Sequence, residues 1–224
     1  EKDYFLAVVM QIISSSTWGK KLVFKGGTAL NHCYLGQYRF SEDLDFSSNR
    51  EKFSLEDIQK IFSDIPFLTI KKDYISEATI KIEKLQYAGP LVLPNSLKIE
   101  IDFMQNVFLS PVSLRYNNVW GLDFKVLVMD VREICAEKIR AMSDRARYRD
   151  FYDLFLLAEK YNPDMNEVVS IIGKKEIRKP ITKIRILQNW GVVGTQVETE
   201  MDQVFYSRKI NNSQIEELIE CLPL

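Results

Sequence analysis

Histidine is almost absent from this chain, since His32 is the only one in 224 residues. Ser-His-Asp triads, Cys-His pairs and most zinc sites need histidine. Catalysis is therefore expected to use carboxylates, lysines, arginines and hydroxyl groups. Cysteine is scarce as well. Cys33, Cys135 and Cys221 are odd in number and lack metal-like spacing, which predicts free thiols in a reducing cytosol.

Long hydrophobic runs are missing too. No stretch approaches the ~18 apolar residues that indicate a membrane span, and no basic and apolar signal peptide opens the chain. We therefore expect a cytoplasmic protein with no membrane partner. The composition is 46% hydrophobic and 27% charged with net charge −1, which is typical of globular proteins with one large or two small domains. A charge near zero disfavours a broadly basic surface that coats RNA.

The first informative stretch is FKGGTALNHCYLGQYRFSEDLDF, residues 24–46. The run Leu-Val-Phe-Lys directly before the glycines predicts a short buried strand. Gly26 and Gly27 then allow a sharp turn and a close approach of the backbone to a ligand. Thr28 is expected to N-cap the following helix. A helix N-terminus behind a glycine turn favours binding of a phosphate.

The same stretch ends in Asp43-Leu44-Asp45-Phe46, which alternates polar and apolar residues as a strand does. Asp43 and Asp45 should point to one side, where two carboxylates suit Mg²⁺ together with substrate phosphates. Taken singly, the glycines are more often only a turn and the acids more often lie on a solvated edge strand. Their combination indicates a metal-dependent nucleotide site.

A second alternating strand is predicted at residues 96–103. It places Lys98, Glu100 and Asp102 on one face and apolar residues on the other. Pairing beside the first acidic strand would bring Asp102 close to Asp43 and Asp45. The alternative is an ordinary half-exposed strand.

The remaining pattern divides the chain at Asp130. We expect helices over 3–16 and 55–65, the second capped by Ser54 and Asp57, and further strands over 67–74, 78–87 and 124–129. From Asp130 only helices are predicted: 130–146, 149–161, one after 162–164, and segments around 199–208 and 213–221. The expected domains are an α/β core over 1–129 and an all-helical domain over 130–224.

The stretch EKIRAMSDRARYRDFYDL, residues 137–154, is dense in charged side chains. Lys138, Arg145 and Arg149 are candidates to hold phosphates. Asp150 and Asp153, three residues apart, share one helix face. The alternative is a pair of solvated helices with surface ion pairs.

Together GGTAL, RFSEDLDF, IEIDF and the 137–154 stretch resemble the AbiEii/AbiGii-type nucleotidyltransferases. These are toxins of type IV toxin–antitoxin and abortive-infection systems, with tRNA-modifying toxins as relatives. The resemblance covers roughly residues 20–160. It implies an α+β fold: a polymerase-β-like nucleotidyltransferase core with a mixed sheet and flanking helices, followed by an all-helical C-terminal domain.

The resemblance also implies roles for individual residues. Asp43, Asp45 and Asp102 would be the metal carboxylates, holding two Mg²⁺ ions or Mn²⁺ in their place. Lys138 would contact the triphosphate, and Asp150 or Asp153 would be the acid of the last motif.

Further candidates surround these positions. The wider superfamily has Gly-Ser where this chain has Gly26-Gly27, so the hydroxyl role passes to Thr28. Arg39 is expected to contact phosphate or brace the loop, and the alternative is a structural ion pair. The full nucleotide-binding set is Gly26, Gly27, Thr28, Arg39, Ser41, Lys138, Arg145 and Arg149.

The implied reaction is transfer of a nucleoside monophosphate from an NTP to an acceptor hydroxyl, notably at the 3′ end of tRNA. A protein side chain is the alternative acceptor. A non-catalytic nucleotide-binding module is the third hypothesis, disfavoured because such a module has no need for clustered carboxylates. A cognate antitoxin is an expected partner. A basic patch is predicted to bind RNA, or else to be a solvated helix face: Lys174, Lys175, Arg178, Lys179, Lys183 and Arg185.

Overall fold

A computed structural model describes residues 1–48, 53–92, 95–104, 106–175, 179–194 and 205–224. The chain forms two compact units. The first, called the N-terminal unit, comprises Glu1–Gly36 and Ser41–Met129. The second, called the helical unit, comprises Gln37–Phe40 and Asp130–Leu224. The sequence pattern does not predict that four residues from the early part of the chain belong to the helical unit.

The N-terminal unit contains three helices, a π-helical turn and seven strands in the described residues. The helices are α1 (Lys2–Ser15), α2 (Gly26–Ala29), which continues into the π-helical turn Leu30–Leu35, and α3 (Leu55–Phe62). The strands are β1 (Val23–Lys25), β2 (Asp43–Ser47), β3 (Leu68–Ile75), β4 (Thr79–Tyr87), β5 (Asn95–Asp102), β6 (Val112–Arg115) and β7 (Lys125–Val128).

The strands form one mixed seven-stranded sheet in the order β3-β4-β5-β2-β1-β7-β6. Strand β2 pairs with β5 in parallel and with β1 antiparallel. It therefore lies inside the sheet, and the expectation that its acids might sit on an edge strand is wrong. A central strand has both edges paired, so it holds its side chains at fixed positions on the two faces.

Alternation decides which face of these strands is buried. Leu44 and Phe46 of β2, and Leu97, Ile99 and Ile101 of β5, have almost no exposed surface. Their polar neighbours on the same strands are half-buried on the opposite face. The predicted alternation of both strands is confirmed, and it places the acidic side chains together on one face.

Most predicted elements of this unit are present. Helix α3 has the expected capping box, in which Ser54 accepts from the backbone N–H of Asp57 and the Asp57 side chain accepts from Ser54. Strand β6 was not predicted, because its four residues are mostly exposed and carry no alternating pattern. It pairs with β7 at the edge of the sheet.

The helical unit contains α4 (Val131–Asp144), α5 (Tyr148–Tyr161), α6 (Met165–Ile172), α7 (Lys183–Gly194) and α8 (Asn212–Cys221) in its described residues. Asp130 caps α4 as predicted, and Asp164 caps α6. A further helix is predicted around 199–208. Its part up to residue 204 lies outside the described residues. For residues 205–208 the prediction is wrong, since Tyr206 forms a β-bridge with Arg39. Over the part of the chain that is described, no helix has the length and apolar character needed to cross a membrane.

Candidate active site

The glycine turn brings the backbone against an acidic side chain. Gly26 has a φ of +77°, in the left-handed region that favours glycine. A Cβ at this position would lie 2.6 Å from Oδ2 of Asp45. Gly26 is therefore required both for the turn and for the approach to Asp45. Gly27 follows it within α2.

Thr28 does not cap the helix, so that prediction is wrong. Helix α2 begins two residues earlier, at Gly26, and Lys25 occupies the N-cap position. The fully buried Thr28 hydroxyl instead donates to the carbonyl oxygen of Asp43 at 2.6 Å and lies 2.9 Å from Oγ of Ser41. It ties the glycine turn to the segment that enters β2. Its expected contact with a triphosphate stays a prediction.

Asp43 and Asp45 lie on the same face of β2, and both are half-buried. Burial and the neighbouring Asp43 carboxylate together raise the pKa of Asp45 to about 6, although Lys25 lowers it. A raised carboxyl pKa means that the protein alone compensates the negative charge incompletely. A cation bound here would supply the missing positive charge.

Asp102 reaches the predicted face on the neighbouring strand, although not directly opposite the other acids. In the parallel register of β2 and β5, Asp45 lies opposite Glu100, and Asp102 lies opposite Ser47. Oδ2 of Asp102 is 3.1 Å from Nζ of Lys25. Oδ1 accepts from the backbone N–H of Met104 at 2.8 Å.

Lys25 is the residue of this site that sequence reasoning missed. It is buried at the end of β1, in register with Asp45 across the antiparallel pair. A buried lysine needs a carboxylate partner, so a lysine closing an otherwise apolar strand just before two glycines was the available signal. Glu100, also not singled out, pairs with Lys81 at 3.0 Å and lies 3.9 Å from Lys98.

These side chains fit a divalent cation only in part. In the described residues, no three carboxylate, histidine or cysteine side chains are grouped as a ready-made metal site. Asp102 is held by Lys25, which leaves Asp43 and Asp45 as the same-face pair. Mg²⁺ is commonly held by one or two carboxylates, with the other positions taken by substrate phosphates and water. The donor set therefore fits a cation whose coordination a nucleotide completes.

The single histidine, His32, has a structural role. His32 is fully buried, and its Nδ1 donates to the carbonyl oxygen of Asn117 at 2.8 Å. Its ring stacks on Tyr116 at 4.3 Å between centroids. Burial lowers the pKa of His32, so it is neutral near pH 7.

The predicted charged stretch of the helical unit forms a buried cluster, and the expectation of solvated surface ion pairs is wrong. Nζ of Lys138 lies 3.0 Å from Asp150 Oδ1 and 2.6 Å from Asp153 Oδ2. Nε of Arg145 is 2.8 Å from Asp150 Oδ2. Both carboxylates have no exposed surface. Burial raises the pKa of Asp150, but Lys138 and Arg145 outweigh it and hold that pKa below its usual range.

Arg39 belongs to the same cluster through Asp153. Its Nε and Nη2 donate to the two carboxylate oxygens at 2.6 and 2.7 Å, and its Nη1 donates to the carbonyl of Phe40. Tyr38 donates its hydroxyl to Asp153 as well, at 2.6 Å. Of the two alternatives for Arg39, the ion pair is the one observed. Arg39 is 4% exposed and is left out of the nucleotide site proposed below.

The predicted basic patch is not continuous. Lys175 is buried, with Nζ 2.6 Å from Glu133 and 2.9 Å from Glu137, so its assignment to an RNA-binding surface is wrong. Those glutamates lie on α4, far away in sequence. Arg178 lies outside the described residues. Lys183 donates to the carbonyl of Glu220 and Arg185 to that of Pro180.

Residues 8–202 match the family described as Nucleotidyl transferase AbiEii toxin, Type IV TA system. The chain belongs to this family. This family is the one that the sequence resemblance implied.

The chain is also similar to one curated protein and, in fold, to solved structures. An uncharacterised protein of Aquifex aeolicus (strain VF5) is 30% identical over 156 residues, which are 67% of this chain and 64% of that protein. The match thus spans less than two thirds of the relative. JHP933 of Helicobacter pylori has a TM-score of 0.62 at 19% identity, covering 99% of this chain and 90% of that one. MenT4, a nucleotidyltransferase toxin of Mycobacterium tuberculosis H37Rv, has a TM-score of 0.59 at 17% identity, covering 99% and 92%. The predicted fold class is confirmed.

Proposed function

We propose that this AbiEii-family chain transfers a nucleoside monophosphate from an NTP to a hydroxyl of an RNA acceptor and releases pyrophosphate, with the 3′ end of tRNA as the first acceptor to test. The observation that carries this proposal is the pair Asp43 and Asp45 beside the Gly26 turn, with negative charge that the fold does not compensate. As a family of toxins implies, a cognate antitoxin would restrain the activity.

Asp43 and Asp45 would hold Mg²⁺, or Mn²⁺ in its place. A divalent ion at such a site lowers the pKa of an attacking hydroxyl and stabilises charge on the transferred phosphate. Asp102 would join a second ion only after exchanging its contact with Lys25. The protein's own part is to fix the two carboxylates on a central strand and to exclude any side chain at Gly26.

The other candidate residues are assigned either to triphosphate binding or to the structure of the helical unit. The backbone of Gly26 and Gly27 and the half-buried Ser41 hydroxyl would bind the triphosphate of the NTP. Lys138 bridges Asp150 and Asp153, so we assign these three to holding the helical unit together. The expected contact of Lys138 with the triphosphate stays a prediction, as does the phosphate contact of the half-buried Arg149.

The test is transfer of label from each α-³²P NTP, with Mg²⁺, to total tRNA or to total protein. We expect label on RNA that Asp43→Asn and Asp45→Asn each abolish. Glu83→Gln is the matched control, because it removes a carboxylate of β4 that pairs with Lys72 of β3. Near-normal turnover by either Asn variant would refute the site. Label on protein alone would refute the RNA acceptor and favour a side-chain acceptor.

A further inference from the structure

Two phenylalanines of the helical unit are unusually exposed and lie side by side. Phe40 is 60% and Phe205 64% exposed. The backbone N–H of Phe40 donates to the carbonyl of Phe205 at 3.0 Å, and that of Ser207 to the carbonyl of Tyr38 at 2.8 Å. These bonds flank the antiparallel bridge between Arg39 and Tyr206. Facing residues of such a ladder have Cβ atoms about 5 Å apart.

The residues beside them anchor this short ribbon. Arg39 is buried against Asp153. The Tyr206 ring packs edge-on against Tyr148 at 5.4 Å and Tyr152 at 4.7 Å between centroids. Because successive side chains on an extended chain point to opposite sides, anchoring Arg39 and Tyr206 inward directs Phe40 and Phe205 outward. The two rings therefore face away from the buried anchors.

The surroundings of the pair are cationic. Tyr148, which contacts Tyr206, lies between Arg147 and Arg149 at the start of α5, and Arg145 precedes them. Arg208 and Lys209 follow on the ribbon itself. Arg145, Arg147, Arg208 and Lys209 are exposed and Arg149 is half-buried. Arg145 and Arg208 also pair with Asp150 and Glu159, so the five named basic residues outnumber these two acidic partners.

We propose that Phe40 and Phe205 form a stacking platform for an unpaired base of the RNA acceptor, with its phosphates near the flanking arginines. Exposed aromatic rings within a cationic surface are the means by which proteins hold single-stranded nucleic acid. The cationic surroundings favour RNA over an apolar protein partner. This inference rests on the proposed function and replaces the interrupted patch around Lys175 as the acceptor surface.

The experiment measures binding of fluorescent total tRNA, and of a single-stranded oligoribonucleotide with and without abasic positions. The variants are Phe40→Ala, Phe205→Ala and the double variant. Stacking of a base on one ring is worth roughly five- to 150-fold in affinity, so each variant should weaken binding at least about fivefold. Tyr74→Ala is the matched control, because it removes another exposed ring, 51% exposed, on β3. It should bind RNA as wild type does.

Three further readouts separate stacking from folding. Phe→Trp at either position should retain affinity, because indole stacks as well as phenyl. Abasic positions should weaken binding to wild type but not to the double variant. Thermal melting of the Ala variants should match wild type, since the rings are exposed.

Unchanged RNA affinity of the double variant would overturn the inference. If wild type still transfers label to RNA in that case, the proposed function stands and only the platform fails. If wild type neither binds nor labels RNA, the proposed function fails first. Loss of binding to a protein inhibitor, with RNA affinity unchanged, would identify a protein surface and overturn the inference too.

Discussion

Replacing Asp153 with Asn tests the buried charge cluster of the helical unit. Among the five side chains described, Arg39, Lys138 and Arg145 carry three positive charges and Asp150 and Asp153 carry two negative charges. The substitution leaves three positive charges against one. Arg39 would lose both of its bonds to a carboxylate while only 4% exposed.

The magnitude follows from this burial. Removing one partner of a buried ion pair typically costs about 3–5 kcal/mol, because the remaining charge stays desolvated and unpaired. For a chain of this size that corresponds to a fall in melting temperature of roughly 6–20 °C. Arg39→Met should cost a similar amount. The double variant Arg39→Met with Asp153→Asn should cost clearly less than the sum of the two single variants, since neither charge is then left alone.

The assay is urea unfolding followed by circular dichroism, analysed as a double-mutant cycle. Glu159→Gln is the control, because Glu159 pairs with Arg208 at the exposed surface of the same unit, where about 0–1 kcal/mol is expected. A loss below about 1 kcal/mol for Asp153→Asn, or strict additivity in the cycle, would refute the assignment.

The pH dependence of this pair has a definite sign. Burial raises the pKa of Asp153, but Arg39 and Lys138 outweigh it and hold that pKa below its usual range. A carboxyl with a lowered pKa in the folded state stabilises the fold above its unfolded pKa of about 3.9. That contribution is lost as the pH falls below about 4 towards the folded pKa. Asp153→Asn should flatten the acid limb of the stability curve.

Three further predictions concern the acidic face of the sheet. Asp45→Asn should abolish transfer yet increase stability at pH 7 by up to about 3 kcal/mol. The reason is that a folded pKa of about 6 disfavours the charged carboxylate as the pH rises from about 4 to 6. Urea unfolding at pH 4 and at pH 7 should show the gain in stability only at pH 7. Lys25→Met should raise the Asp45 pKa further, since Lys25 lowers it, and an NMR titration showing no change would contradict the assignment. Gly26→Ala should destabilise by about 1–3 kcal/mol and also impair transfer through the clash with Asp45, whereas Gly36→Ala, with φ +74° and open space for the Cβ, should show only the backbone cost.

The local sequence pattern by itself determined which side chains share a strand face and where a helix begins. The alternation of Asp43-Leu44-Asp45-Phe46 placed two carboxylates on one strand face, and Ser54 with Asp57 specified the start of α3. These features depend on neighbours within a few residues, where side-chain periodicity and capping chemistry act directly.

Only the tertiary structure decided which distant groups meet. Lys25 lies 77 residues from Asp102, and Arg39 lies 114 residues from Asp153. No local pattern specifies the register of β2 on β5, which sets Asp45 opposite Glu100 and Asp102 opposite Ser47. The same holds for Lys175, whose lysine-rich neighbourhood predicts exposure but whose partners Glu133 and Glu137 come from α4. A buried charge is stable only beside its partner, and packing of the whole unit determines where that partner lies.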